Sequence, residues 1–240
     1  MAWIGTSGWM YDHWKGPFYP VEIETEAMLP AYAEAFRSVE VNNTFYQLPD
    51  ADTVESWQRR VPKDFIFAVK ANRYITHMKN LLEPEEPLAN LMDRIARLGD
   101  KLGPILFQLP PGWHVNADRL AAFVDVLPES VRCAFEFRQP SWYTSEILKI
   151  LAERNCAFCI HDHADAPSPQ EITADFVYVR FHGPDGHYGT PYSDDTLANW
   201  AARIRSWRNE GREVFAYFNN DAEGYAVDNA QALQDALGNS

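Results

Sequence analysis

The sequence predicts an α/β chain folded as a (β/α)8 barrel of the TIM type. Eight short apolar runs recur along it, most of them separated by segments with helical patterning. Nearly all of these runs end in polar residues that strand interiors avoid. Polar groups gathered at the C-terminal ends of eight strands match the face on which such barrels place their active sites. The 240 residues are close to the length of one barrel, so 1–240 reads as a single domain.

The runs are Ile4–Ser7, Val39–Asn42, Phe65–Lys70, Ile105–Gln108, Cys133–Arg138, Phe158–His161, Phe176–His182 and Val214–Asn219. Helices are predicted over Thr25–Phe36 and Ala51–Arg60, after the first and second runs. A third, Leu88–Leu98, follows the helix-starting prolines Pro84 and Pro87. Asn116 can accept from a first-turn amide and so caps Ala117–Leu127. Ser141 or Thr144 starts a helix running to Arg154, with Ile147, Leu148, Ile150 and Leu151 at helical spacing. Between His161 and Phe176, Pro167 and Pro169 leave room for one helical turn at most. The sixth helix is therefore expected to be short or missing and the barrel irregular, with a seven-stranded variant as the alternative. Ser193 caps Asp194–Arg208, whose early acids suit the positive helix end. Val227–Leu237 closes the ring.

Apolar residues make up 46% of the chain, enough for a full core. Net charge is −13 and the pI about 4.9. Such a surface disfavours nucleic acid and anionic membranes, which need clustered Lys and Arg. No apolar run approaches the roughly 18 residues of a membrane span. Met1–Gly5 enters a strand without the basic and apolar regions of a signal peptide. Three cysteines are too few for a disulfide framework, and the expected compartment is the cytoplasm.

Alternation along a strand assigns its faces. In Cys133–Arg138, Phe135 and Phe137 suit the helix-covered outside, so Glu136 and Arg138 point inward. In Phe176–His182, Val177, Val179 and Phe181 face out and Tyr178, Arg180 and His182 face in. The same rule turns Glu40, Asn42, Lys70, Gln108, His161, Tyr217 and Asn219 inward. Buried charges are costly unless paired, so Glu40 and Glu136 are expected to partner Lys70, Arg138 or Arg180. A purely structural ion-pair plug is one reading of this cluster. A functional site is favoured, because so many ionisable groups meet where barrels do their chemistry. Three cations against two carboxylates suit an anionic ligand better than a bare divalent metal, and Asp162 would only balance them.

Two loops add to the site. Gly183-Pro-Asp-Gly186-His-Tyr-Gly189 follows the seventh strand, where barrels often bind phosphate and where glycine lets amides approach an anion. The loop after the first strand is aromatic, with Trp9 and Trp14 as candidates for a lid. Phe45, Tyr46, Tyr74, Trp113, Trp142, Tyr143 and Tyr188 line other strand ends, available for stacking or for packing. Cys156 and Cys159 mimic metal-ligand spacing, but positions three apart on a strand face opposite ways, so they read as buried structural thiols. A metal set drawn from Glu40, Glu136, His161, Asp162 and His182 has suitable ligand types, and the nearby cations argue against it. Glu40 with Glu136 also qualifies as a glycosidase pair.

Gly5-Thr-Ser-Gly-Trp9, Trp14-x-Gly-x-Phe-Tyr-Pro20 and Glu40-Val-Asn-Asn-Thr-Phe-Tyr46 form a specific set of blocks. Phe67-Ala-Val-Lys-Ala-Asn72, Phe107-Gln-Leu-Pro-Pro111, Glu136-Phe-Arg138, Tyr178-Val-Arg-Phe-His-Gly183 and Asn219-Asn-Asp221 extend it. Together they resemble the YecE-like family, a domain of unknown function numbered seventy-two, over essentially the whole chain. The resemblance implies a TIM-type barrel and brings no established reaction with it. Met10 stands where that family often has serine.

The leading expectation is an enzyme for a small phosphate- or carboxylate-bearing sugar or nucleotide-like substrate, needing no cofactor. Lys70, Arg138 and Arg180 would bind the anion. Asn42, Gln108, Tyr217, Asn219, Trp9, Trp14, Gly183 and Gly186 would complete the substrate site. Glu136 or Glu40 would serve as general acid or base, with His182 or His161 as the second proton carrier. The alternatives are a non-catalytic nucleotide or single-strand binder using the same pocket, and a metal-dependent hydrolase or isomerase.

Overall fold

The computed structural model describes residues 1–163, 167–186 and 188–238. Its strands are β1 (Ala2–Thr6), β2 (Ser38–Val41), β3 (Ile66–Lys70), β4 (Leu102–Gln108), β5 (Cys133–Glu136), β6 (Ala157–His161), β7 (Phe176–Phe181) and β8 (Glu213–Phe218). All pair in parallel, in the order β2-β3-β4-β5-β6-β7-β8-β1. The seven-stranded alternative is thereby overturned.

The seam between β1 and β2 is stitched by side chains rather than by a ladder. A single bridge joins Ser7 to Glu40. The Tyr32 hydroxyl reaches between the strands, accepting from the Thr6 amide at 2.9 Å and donating to the Ser38 carbonyl at 3.0 Å. Gly5 makes room for this approach, since a Cβ there would lie 2.1 Å from the Ser38 oxygen.

The helices are α1 (Thr25–Ala35), the short turn α2 (Asn43–Tyr46), α3 (Ala51–Arg60), α4 (Glu85–Ile95), α5 (Ala117–Asp125), α6 (Ser145–Glu153), α7 (Asp194–Asn209) and α8 (Tyr225–Leu237). Side-chain caps set several of their starts. Asn116 accepts from Arg119 N at 2.9 Å, Thr144 from Ile147 N at 3.3 Å and Ser193 from Thr196 N at 3.3 Å. Ser141 belongs instead to a separate 3₁₀ turn, Pro140–Trp142. Asp50 caps α3 in the same way, accepting from Thr53 N at 2.7 Å. Helix α4 starts three residues before the expected Leu88, because Pro87 fits a first turn whose amides have no intrahelical partner. Removing one cap costs about 1 kcal/mol. Asn116→Ala is therefore expected to lower the melting temperature by roughly 2–4 °C without altering ligand binding, checked by calorimetry.

No helix joins β6 to β7 among the described residues, and residues 164–166 of that connection lie outside them. The connection covers the strand with side-chain bonds instead. Thr173 Oγ1 accepts from Phe158 N at 2.8 Å and donates to Cys156 O at 2.6 Å. Ser168 Oγ accepts from His161 N at 2.8 Å.

Alternation sorts the buried residues into two cores. Val177, Val179, Phe181, Phe107, Phe135 and Phe137 pack outward under the helices. Leu106, Cys159, Phe176, Tyr178, Phe215 and Tyr217 fill the barrel interior, where Ala68, Ala134 and Ala157 make room for the rings. This apolar plug is the floor on which the polar layer rests. No helix among the described residues is long and apolar enough to cross a membrane.

Candidate active site

Strand register brings the polar layer together at the C-terminal ends. Glu136 stands beside Gln108, and Arg180 stands between His161 and Tyr217. Arg180 is 1% exposed, and Glu40 and Glu136 are fully buried. The Arg180 guanidinium bridges the two carboxylates. Its Nε donates to Glu40 Oε2 at 3.0 Å, one terminal nitrogen to Glu40 Oε1 at 2.8 Å, and the other to Glu136 Oε2 at 2.6 Å. Glu40 also accepts from Ser7 Oγ at 2.7 Å and from Tyr178 Oη at 2.8 Å. Arg138 Nε donates to Glu136 Oε1, and its terminal nitrogens reach Tyr188 Oη at 3.0 Å and His182 Nε2 at 3.1 Å. Two glutamates and two arginines thus form a neutral buried quartet. Burial pushes the Glu136 carboxyl up, but Arg138 and Arg180 outweigh it and hold the group well below the usual carboxylate range.

The quartet is layered. A cavity of about 660 Å³ opens above it, walled by Tyr11, Asn42, Phe45, Tyr46, Lys70 and Gln108 on one side. Arg138, Arg180, Tyr188, Asn219, Asp221 and His13 complete the wall. The arginines therefore face the cavity, and the carboxylates lie behind them. Lys70 adds a third nitrogen cation site. Its Nζ sits 4.3 Å from the Phe45 ring centroid and has no hydrogen bond or ion pair among the described residues. Burial, then the neighbouring Arg180, lowers its pKa to about 7, with Glu136 and Glu40 opposing. Asp221 is tied to the first loop, accepting from Trp14 Nε1 at 2.9 Å and meeting His13 Nε2 at 3.0 Å.

Several expected site residues fall elsewhere. Trp9 and Trp14 are not a lid. The loop after β1 folds inward, so Trp9 packs edge-on against Trp57 with centroids 5.2 Å apart, and Trp14 is fully buried among Tyr11, Phe18, Tyr19 and Tyr32. Tyr11 and His13 reach the cavity from that loop instead. Gly183 and Gly186 do not offer amides to an anion. Gly183 N donates to Tyr192 Oη at 2.7 Å and Gly186 N to Gly183 O at 2.7 Å. Tyr217 lies too deep to touch a ligand, its hydroxyl 2.6 Å from Ser38 Oγ. Asn42, Gln108 and Asn219 do line the cavity, and Asn42 Oδ1 has no hydrogen-bond partner among the described residues.

The expected proton carriers sit behind the wall. Glu40 is saturated by its donors. His182 is fixed by Arg138 and by Asn219 Nδ2 at 3.2 Å, and burial holds it well below its ordinary pKa. His161 stands 2.8 Å from the Phe137 carbonyl and is pushed down to about 4, chiefly by burial. Both histidines are therefore neutral near pH 7. Glu136, His161 and His182 each place one ligating atom within 4.8 Å of the others. The Arg138 guanidinium already lies against two of them, so an ion could join this set only by displacing it. Cys133, Cys156 and Cys159 are buried free thiols, as expected.

Residues 3–240 match the family described as Protein of unknown function DUF72. The UPF0759 protein YunF of Bacillus subtilis (strain 168) is 27% identical over 270 aligned residues, covering 99% of this chain and 95% of that one. A crystal structure of a DUF72 family protein (TM1631) from Thermotoga maritima MSB8 superposes with a TM-score of 0.88 at 28% identity, covering 99% of both chains. A DUF72 family protein (EF0366) from Enterococcus faecalis V583 shares the fold, with a TM-score of 0.84 at 21% identity over 100% of this chain and 96% of that one.

Proposed function

We propose that this chain, which belongs to the DUF72 family, is an enzyme that holds a small phosphate- or carboxylate-bearing substrate in the cavity above the glutamate–arginine quartet. One observation carries the reading. Arg138 and Arg180 reach the cavity wall, with the Lys70 amine on the same wall, while Glu40 and Glu136, which balance the arginines, are fully buried and do not line it. Preorganised cations in a partly dry site bind an anion, and stabilise developing negative charge, without reorganising. Asn42, Gln108 and Asn219 supply polar contacts beside them, which suits a ligand bearing hydroxyls, such as a sugar or nucleotide-like molecule. Glu40 and Glu136 then act as positioning residues that orient the arginines. The proton-transfer role passes to groups that touch the cavity, among them Lys70, whose pKa burial lowers to about 7.

A thermal-shift panel of phosphosugars, sugar acids, nucleotides, neutral sugars and short oligonucleotides tests this. A ligand at a hundred times its dissociation constant adds about 2.7 kcal/mol. For this length that is a rise of roughly 5–10 °C. The expected hits are phosphosugars or sugar acids, with their neutral counterparts silent. A response confined to oligonucleotides and falling steeply with salt would replace this reading with single-strand binding. Silence to every anion would overturn it.

A further inference from the structure

Lys70 is more than a third cation. An anion-binding lysine is usually held charged by a carboxylate, and Lys70 has no such partner among the described residues. It stands at the C-terminal end of β3, partly buried, with its amine over the face of Phe45 and open to the cavity. The Lys79 amine, in contrast, is paired with Glu83 at 2.6 Å. The groups around Lys70 are Arg180 on β7, Arg138 and Glu136 from β5, Glu40 on β2, and His77 from the turn after β3. Each carboxylate among them is already spent on an arginine. Burial and the two arginines favour the free amine, the form of lysine that attacks a carbonyl carbon, against the opposing pull of the Phe45 face and the two glutamates on the ammonium.

We propose that Lys70 is an imine-forming nucleophile, and that the anionic substrate of this cavity carries an aldehyde or ketone close to its phosphate or carboxylate. The inference rests on the anion-binding reading above. Arg138 and Arg180 would hold the anionic group while the neutral Nζ attacks the carbonyl carbon. The carbonyl π pair moves to oxygen, which takes up a proton as nitrogen loses one, giving a carbinolamine. Loss of that oxygen with a second proton, as water, leaves a C=N bond to Nζ. Protonated on nitrogen, this imine draws electrons from an adjacent C–H or C–C bond, which places the reaction among lyases or isomerases of carbonyl compounds. The free-amine fraction supports the assignment. With its pKa lowered to about 7, Lys70 carries a substantial share of free amine near neutral pH. For an ordinary lysine the fraction is roughly one in 2,500.

The test uses the intact protein with pyridoxal 5′-phosphate, a phosphate-bearing aldehyde, and sodium borohydride to fix any imine as a secondary amine. Peptide mass mapping reads all six lysines at once. Pyridoxal without phosphate, and inorganic phosphate as competitor, run in parallel. The expected result at pH 7 is labelling of Lys70 at least tenfold faster than the exposed Lys63 and Lys149, slowed by phosphate and absent in Lys70→Arg. Pyruvate, glyoxylate and dihydroxyacetone phosphate, fixed in the same way, then report the carbonyl class. Phosphate binding without preferential labelling of Lys70 would overturn the nucleophile and leave the anion site standing. Rapid labelling of Lys70 by pyridoxal and its phosphate alike, with no protection by phosphate, would keep the nucleophile and overturn the anion reading.

Discussion

Replacing Arg180 with methionine is expected to lower stability by about 3–5 kcal/mol, because it leaves the buried Glu40 with no counter-charge and Glu136 with one in place of two. For a chain of this size the melting temperature falls by roughly 6–20 °C. The cost comes from what is left behind more than from what is lost. Glu40 keeps only its hydroxyl donors Ser7 and Tyr178, and Glu136 keeps Arg138. The pH dependence carries the signature. In the parent protein Glu136 titrates well below an unfolded glutamate. Its contribution is therefore fully present above the unfolded value near pH 4.3 and is lost as pH falls toward the folded one. In Arg180→Met one of the two cations that hold Glu136 low is gone, so the deficit should be largest at neutral pH and shrink on acidification. Denaturant melts of both proteins between pH 5 and 8 check this. A deficit independent of pH would contradict the ion-pair account.

Arg138→Gln is expected to act on binding more than on folding. Arg138 retains 10% side-chain exposure, and its removal leaves Glu136 still paired with Arg180. A hydrogen bond to a charged group is worth about 1.5–3 kcal/mol. Losing one to the ligand should weaken phosphate or phosphosugar binding by roughly 10–150-fold. The same substitution removes the hydrogen bond to the hydroxyl of Tyr188, a non-glycine residue at φ 67° whose backbone stays tied to His182 and Ala222. Calorimetric titration gives the affinity, and thermal melts should show a smaller loss than in Arg180→Met. Equal losses of stability in the two variants would mean that both arginines serve the fold alone.

The barrel was legible because its signals are local. Period-two alternation separates Val177, Val179 and Phe181 from Tyr178 and Arg180, and the caps at Asn116, Thr144 and Ser193 need only a few residues to work. That no helix joins β6 to β7 among the described residues agrees with Pro167 and Pro169, which leave little room for one. Inward-facing charge was legible in the same way, down to the pairing of Glu40 and Glu136 with arginines. Depth was not. Alternation tells in from out, but it does not say that Tyr217 lies below the cavity and Arg138 on its wall, since that depends on strand stagger. Loop position misled for Trp14, which reads as a lid until the turn Asp12–Trp14 folds it under α1. The glycine loop misled because the Gly183 amide is engaged by Tyr192 and the Gly186 amide by the Gly183 carbonyl. In the sequence Asp221 stands out only within the block Asn219-Asn-Asp221. Its partner His13 lies 208 residues away, a pairing that no spacing rule reaches.

The central claim is that the cavity above the quartet holds an anion, and the most direct test is to see one there. Crystals of the protein and of Arg138→Gln grown with selenate, an oxyanion with an anomalous signal, would locate it. The account predicts an anomalous peak within hydrogen-bonding distance of the Arg138 and Arg180 guanidinium groups, lost or depleted in the variant. An empty cavity alongside ordered selenate elsewhere on the surface, or the same cavity peak in both proteins, would contradict it.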